Sequence, residues 1–357
     1  AVKQKADYLG WETHPYNALL DEYEPQMTTT ILDKVFSELL PKTKSLLSQI
    51  QGAKKNPSEP ITHTYDKQKQ WDFSMSLLEK IGFDFESGRL DKSTHPFTID
   101  ISPNDVRITT RLSSHNLMEG ISSTLHEGGH ALYEQGLNLD WANTPLCSSA
   151  SLGIHESQSR LWENQIGKSR LFWDDNFEGL KTLFPEALSS VSVSEFYQDI
   201  NQVKPGFIRV EADEVTYNLH IMIRYEIEKK MLTEDISITD LPDLWNSYYQ
   251  DYLGITPPNA SLGILQDVHW SLGSIGYFPT YTLGNLYAAM IYKAALSGIP
   301  TLHTSMNATV LKSLKEWLNK KVHQKGRLLN PQDLIKEVTG SALTDIPFLE
   351  YLTEKFC

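Results

Sequence analysis

Cysteine is nearly absent from this sequence: Cys147 and Cys357 are the only two in 357 residues. That scarcity argues against a disulfide framework and a cysteine-rich zinc site, and it fits a reducing, cytoplasmic setting. Also lacking is any run of the ~18 consecutive apolar residues that a membrane span needs, so no membrane association is expected. The opening Ala1-Val2-Lys3-Gln4 carries no apolar signal-peptide core. Positive charge is in short supply, with 32 Lys and Arg against 45 Asp and Glu. The resulting net charge of −13 disfavours nucleic acid and anionic lipid as partners. There is no fixed-period repeat and no low-complexity tract, which argues against a solenoid.

What is present reads as a folded, mainly α-helical chain, taken as one domain over residues 1–357, with 40% hydrophobic residues and length enough to bury a sizeable core. Apolar residues recur at helical spacing in three stretches: Ile31, Val35, Phe36, Leu39 and Leu40; Trp71, Leu77, Leu78 and Ile81; and Val215, Leu219, Met222, Ile223 and Ile227. Asn330-Pro331 announces a further helix that ends near Gly340. The departure is a pair of alternating runs, Thr98 to Ile101 and Val106 to Arg111. Ser102-Pro103-Asn104-Asp105 separates them, and together they predict a small β-hairpin or short sheet. The polar stretch from Gln51 to Pro60 reads as an exposed loop, not a domain boundary.

His126-Glu127-Gly128-Gly129-His130 lies in a segment predicted to be a helix beginning near Asn116. Residues four apart share a helix face, so both imidazoles can reach one metal ion, and Glu127 sits one step round the helix. That is the arrangement of a zinc peptidase, in which the metal lowers the pKa of its bound water and a carboxylate takes the proton. A His-Glu-x-x-His match arises by chance in roughly one or two chains of this length per hundred. Each of the two glycines costs a helix about 1 kcal/mol relative to alanine, which implies that something approaches the backbone closely there. A catalytic zinc needs a third protein ligand. Glu156, in His155-Glu156-Ser157-Gln158, is the leading candidate, with His155, Cys147 and Asp140 as rivals.

Six blocks, in this order, resemble the carboxypeptidase Taq-type metallocarboxypeptidases. They are His95-Pro96-Phe97, Asp105-Val106-Arg107-Ile108-Thr109, His126 to His130, His155 to Gln158, Ile208 to Glu214, and Gly263 to Trp270. The resemblance spans most of the chain. It implies a helical scaffold with a substrate groove, and a metal-dependent exopeptidase that removes single C-terminal residues with broad preference. It also implies zinc, with cobalt as an alternative, a homodimer, and Glu156 as the third ligand. Relative to the family the sequence reads as lacking N-terminal helices that help to cover the groove.

A carboxypeptidase must hold a free α-carboxylate, and the planar guanidinium of arginine suits that grip. The resemblance assigns this role to Arg209, whereas helix spacing alone favours a surface pair with Glu211 or Asp213. Tyr281 and then Tyr277 are candidates to donate to the oxyanion, and His269 to contact substrate, with core packing as the competing role for the tyrosines. His95, before Pro96, is placed to meet an extended substrate. Asp213 and Glu214 are candidates to orient the ligand imidazoles, and Asp105 and Arg107 to organise the hairpin. Two other readings remain, a zinc oligopeptidase or endopeptidase and an inactive metal-binding scaffold.

Overall fold

The computed structural model describes residues 1–53, 61, 63–234 and 236–357. Its α-helices are α1 (Val2–Leu9), α2 (Pro15–Leu20), α3 (Thr29–Ala53), α4 (Lys67–Ile81), α5 (Leu117–Gln135), α6 (Leu152–Arg160), α7 (Arg170–Leu183), α8 (Pro185–Leu188) and α9 (Val193–Ile200). After these come α10 (Tyr217–Thr233), α11 (Leu241–Leu253), α12 (Pro279–Gly298), α13 (Ala308–Lys321), α14 (Pro331–Thr339) and α15 (Ile346–Phe356). Between α4 and α5 run three strands, β1 (Gly88–Lys92), β2 (Thr98–Ser102) and β3 (Asp105–Thr110).

Local chemistry accounts for the helix ends near the cleft. The Asn116 side chain accepts from the Met118 N–H to start α5, and Ser151 accepts from Ile154 N–H to start α6. Asn330 caps α14 ahead of Pro331, and Gly340 ends it in the left-handed region at φ 76°. Helix α3 continues through Ala53, so Gln51 to Ala53 are helical where a loop was expected, and the rest of that stretch, 54–60, lies outside the described residues.

The expected hairpin is present as antiparallel β2–β3, and a third strand extends it: the sheet order is β1-β3-β2, with β1 parallel to β3. β1 left no alternating signal because Leu90 is the only buried residue in Gly-Arg-Leu-Asp-Lys. β2 is an edge strand, and both β2 and β3 rest against α5.

Most buried apolar residues form one contiguous cluster reaching from Ala6 to Leu352, and Tyr217, Ile221 and Phe278 form a small second one. At the centre of the large cluster lies α12, which buries residues all round its axis, Leu283, Leu286, Tyr287 and Ile291 among them, and packs against α6, α10, α14 and α15. No helix among the described residues is long and apolar enough to cross a membrane.

Candidate active site

α5 presents His126 and His130 on one face, and α6, packed beside it, supplies Glu156. A Cβ at Gly129 would lie 2.5 Å from the Gln158 carbonyl oxygen and 2.7 Å from Ser159 Cα, so only glycine lets the two backbones meet there. Gly284 on α12 closes on Glu156 from the other side, where a Cβ would stand 2.5 Å from the glutamate Cγ. α6 is thus met closely at two points, by α5 at Gln158–Ser159 and by α12 at Glu156, each through a glycine.

The Glu156 Oε2 lies 3.4 Å from His130 Nε2 and 3.7 Å from His126 Nε2, and the three ligand atoms fall within 4.8 Å of one another. Tetrahedral coordination at about 2.0–2.1 Å separates ligand atoms by about 3.3 Å, so the two imidazoles and the carboxylate fit a divalent cation. The other Glu156 oxygen is taken by Arg160 Nε at 2.7 Å, which leaves Oε2 facing the histidines. Burial would raise the Glu156 pKa, but Arg160 and the two histidines hold it well below the usual carboxylate range. It therefore remains an anion. Of its rivals, Cys147 and Asp140 lie outside this cluster, and His155 meets it through a ligand imidazole.

Behind these three side chains stands a layer of partners. Just after α6 the chain makes a π-helical turn, Leu161–Ile166, and from it Glu163 Oε2 reaches His126 Nδ1 at 2.9 Å. Such turns re-aim side chains relative to a regular helix. His130 Nδ1 meets His155 Nδ1 at 2.5 Å, and His155 Nε2 meets Glu134 Oε1 at 2.7 Å. The acidic residues expected in these roles are elsewhere. Asp213 accepts from the Val215 and Thr216 N–H groups and caps the turn before α10, and Glu214 binds Lys355 and Tyr351 of α15. Both are committed to bonds that need no metal.

Glu127, between His126 and His130 in sequence, is buried, and Thr98 at the start of β2 donates its hydroxyl to Glu127 Oε2 at 2.7 Å. The sheet thereby fixes the orientation of this carboxylate. His95 is exposed on the approach to β2 and lines the same cleft. Asp105 and Arg107 form a bidentate pair on the solvent side of the hairpin, with both contacts at 2.8 Å.

The cleft holds about 1020 Å³, and its far wall carries Arg209, Tyr217, His269, Tyr277 and Tyr281. Arg209 is not a surface residue paired with Glu211 or Asp213. It is buried, with Nε and Nη2 on Asp267 Oδ1 at 2.9 and 2.8 Å and Nη1 on the Tyr217 hydroxyl at 3.0 Å. Asp267 also accepts from Arg224 Nε at 2.7 Å, so one carboxylate serves two guanidinium groups. Burial would raise the Asp267 pKa, but Arg224 and Arg209 pull it down to about 2. The group of three keeps one surplus positive charge. The Tyr281 ring centroid is 4.8 Å from the Arg209 guanidinium, and its hydroxyl lies 3.1 Å from His269 Nε2. Burial and Arg209 hold His269 down to about 4, and its buried Nδ1 has no hydrogen-bond partner among the described residues. Burial also raises both phenols, Tyr277 to about 12 and Tyr281 well above its ordinary value. Each stays a donor at neutral pH.

Thr98, Glu134, Arg160, Glu163, Arg224 and Asp267 were not singled out from the sequence. Only Glu134 left a legible trace, since it continues the i, i+4 stripe of His126 and His130.

The profile of the family described as carboxypeptidase Taq (M32) metallopeptidase matches residues 1–356. Carboxypeptidase 1 of Bacillus subtilis is 43% identical over 355 residues, covering 99% of this chain and 71% of the relative. Thermostable carboxypeptidase 1 of Thermus thermophilus is 45% identical, covering 96% and 67%. Among solved structures, a Pyrococcus furiosus carboxypeptidase superposes with a TM-score of 0.96 at 41% identity, covering 100% of this chain and 72% of that one.

Proposed function

This chain belongs to the carboxypeptidase Taq (M32) metallopeptidase family and is a metal-dependent carboxypeptidase; we propose that its cleft works with Glu127 as general base and Arg209 as the anchor for the substrate carboxylate. The observation that carries this reading is the placement of two dissimilar centres in one cleft. One is the His126, His130 and Glu156 cluster, and the other is a buried, surplus-positive arginine wall. His126, His130 and Glu156 would hold the cation, for which we assign zinc, with cobalt as the alternative. Bound there, a divalent ion supplies Lewis-acid chemistry, polarising a carbonyl and making water a better nucleophile.

The protein's own groups do the rest. Arg209 holds the C-terminal carboxylate through N–H bonds left free by Asp267 and Tyr217, since guanidinium offers five donors. The scissile carbonyl is thereby placed one residue from the anchor, and His269 packs beside the terminal residue. Glu127, its carboxylate fixed by Thr98, accepts the proton of the attacking water and passes it to the departing amine. Tyr281 and Tyr277, both protonated, donate to the oxygen on which negative charge develops. Upstream substrate residues run past His95 and the open edge of β2. The reading includes broad residue preference, a cytoplasmic setting, a homodimer, and residues 1–357 acting as one catalytic domain.

The test compares a peptide with its C-terminally amidated twin. The free acid should be cleaved at least 100-fold more efficiently, and Arg209→Ala should raise KM for the free acid alone, since breaking a charge-assisted bond costs about 2–5 kcal/mol. Comparable turnover of the two peptides by the unaltered protein would refute the anchor and favour an oligopeptidase.

A further inference from the structure

The two ligand histidines are supported differently. His126 Nδ1 meets a carboxylate directly, that of Glu163. His130 Nδ1 meets a second imidazole, which in turn meets a carboxylate, that of Glu134. We infer that His155 is a positioning residue: it carries the influence of Glu134 to His130 and so selects the tautomer in which His130 can bind metal. The inference rests on His126, His130 and Glu156 being the ligands.

The proton count fixes the direction of the chain. For His130 to offer the lone pair of Nε2 to a cation, its proton must sit on Nδ1. His155 Nδ1 is 2.5 Å away, so one proton lies between the two nitrogens; two protons would collide and two lone pairs would repel. Glu134 Oε1, 2.7 Å from His155 Nε2, accepts a hydrogen bond and keeps a proton on that nitrogen. A neutral His155 then has only its Nδ1 lone pair left, and it accepts from His130. The opposite direction requires a neutral His130 with its proton on Nε2, where it would block the ligand position.

The surroundings hold this chain in place. Glu134 follows His126 and His130 on the same stripe of α5 and is buried, which limits the access of water to its carboxylate. His155 directly precedes Glu156 on α6, so one segment supplies both a ligand and the support for another ligand. The His155 ring lies 4.5 Å from that of His130 and 5.4 Å from that of Tyr133, centroid to centroid, which fixes its plane. Support of this kind changes metal affinity by about 10–100-fold when it is removed.

The experiment is chelator competition on the metal-stripped full chain, with Zn²⁺ and Co²⁺ as probes and circular dichroism as a check on folding. His155→Leu and Glu134→Gln should each weaken binding about 10–100-fold. The double variant should be no weaker than His155→Leu, because both changes break one chain. His155→Gln, whose amide can accept from His130 and donate to Glu134, should bind within a few-fold of the unaltered protein. Its Co²⁺ visible spectrum should also be unchanged. A folded His155→Leu that binds as tightly as the original, or additive losses in the double variant, would overturn the relay. An altered Co²⁺ spectrum in His155→Gln would overturn it too and make His155 a ligand. His130→Ala separates this from the reading beneath it: if that variant still binds metal tightly, the ligand assignment fails, whatever His155 does.

Discussion

At the residue scale the chemistry is concentrated in a few buried charges whose partners are now identifiable. Glu127 is the residue whose loss the reaction should feel most. On the proposed reading, Glu127→Gln should lower kcat by about 10²–10⁴-fold while metal stoichiometry stays at the level of the unaltered protein, because it removes a general base and touches no ligand. A comparable loss of bound metal would assign Glu127 to the coordination sphere instead. The paired histidines and Glu127 were legible because helix geometry alone brings positions 126, 127 and 130 to one region. That Arg209 lines the cleft was suggested only by resemblance. Spacing pointed to Glu211 or Asp213 as its partners, whereas the carboxylate it binds, Asp267, is brought to it by a fold that sequence distance does not disclose. The same holds for Glu163, which a π-helical turn swings toward His126.

At the scale of elements the decisive contact is the meeting of α5 and α6 at Gly129. Gly129→Ala should raise helix propensity by about 1 kcal/mol, yet the new Cβ would stand 2.5 Å from a backbone oxygen that has no rotamer to escape by. The expected net effect is destabilisation of about 1–3 kcal/mol, read as a lower Tm, together with weaker metal binding as Glu156 is pushed from the histidines. The glycines inside the motif had suggested a close approach, and the approaching elements are α6 at Gly129 and α4, through Ile81 and Leu78, at Gly128. Glu228 is a second element-scale device: it accepts from Tyr16 of α2, from Trp270 and from the Gly276 N–H, tying the wall that bears His269 and Tyr277 to α10. Burial raises Glu228 to about 7, against bonds from Tyr16, Trp270 and Gly276 and the charge of Arg224, which lower it. The folded state therefore holds a proton that the unfolded chain releases above its ordinary value near 4.5. That contribution to stability is complete at lower pH and is lost as pH rises to about 7. Urea titrations of the unaltered protein and of Glu228→Gln should show the variant's stability falling less across that interval. Of the elements themselves, the amphipathic helices and the β2–β3 hairpin were readable from periodicity. β1 was not, because its placement depends on pairing with β3 and not on a pattern of its own.

At the scale of the whole molecule one apolar cluster joins α1 to α15, so on the single-domain reading urea unfolding should follow one transition by both fluorescence and circular dichroism. Separate transitions would divide the chain into independent units. Charge acts at this scale as well. The chain carries a net charge of −13, yet the Arg209–Asp267–Arg224 group at the cleft wall is positive by one unit. On the proposed reading a peptide carboxylate approaching through solvent would be repelled at long range and captured at short range, and salt separates the two effects. Going from about 10 mM to 150 mM shrinks the Debye length from about 30 Å to about 8 Å, which mutes the distant repulsion and leaves the buried contact nearly untouched. On the proposed reading, kcat/KM for an acidic peptide should climb over that range where most electrostatically steered enzymes slow down. The arginine wall then works as a short-range trap inside a repulsive field.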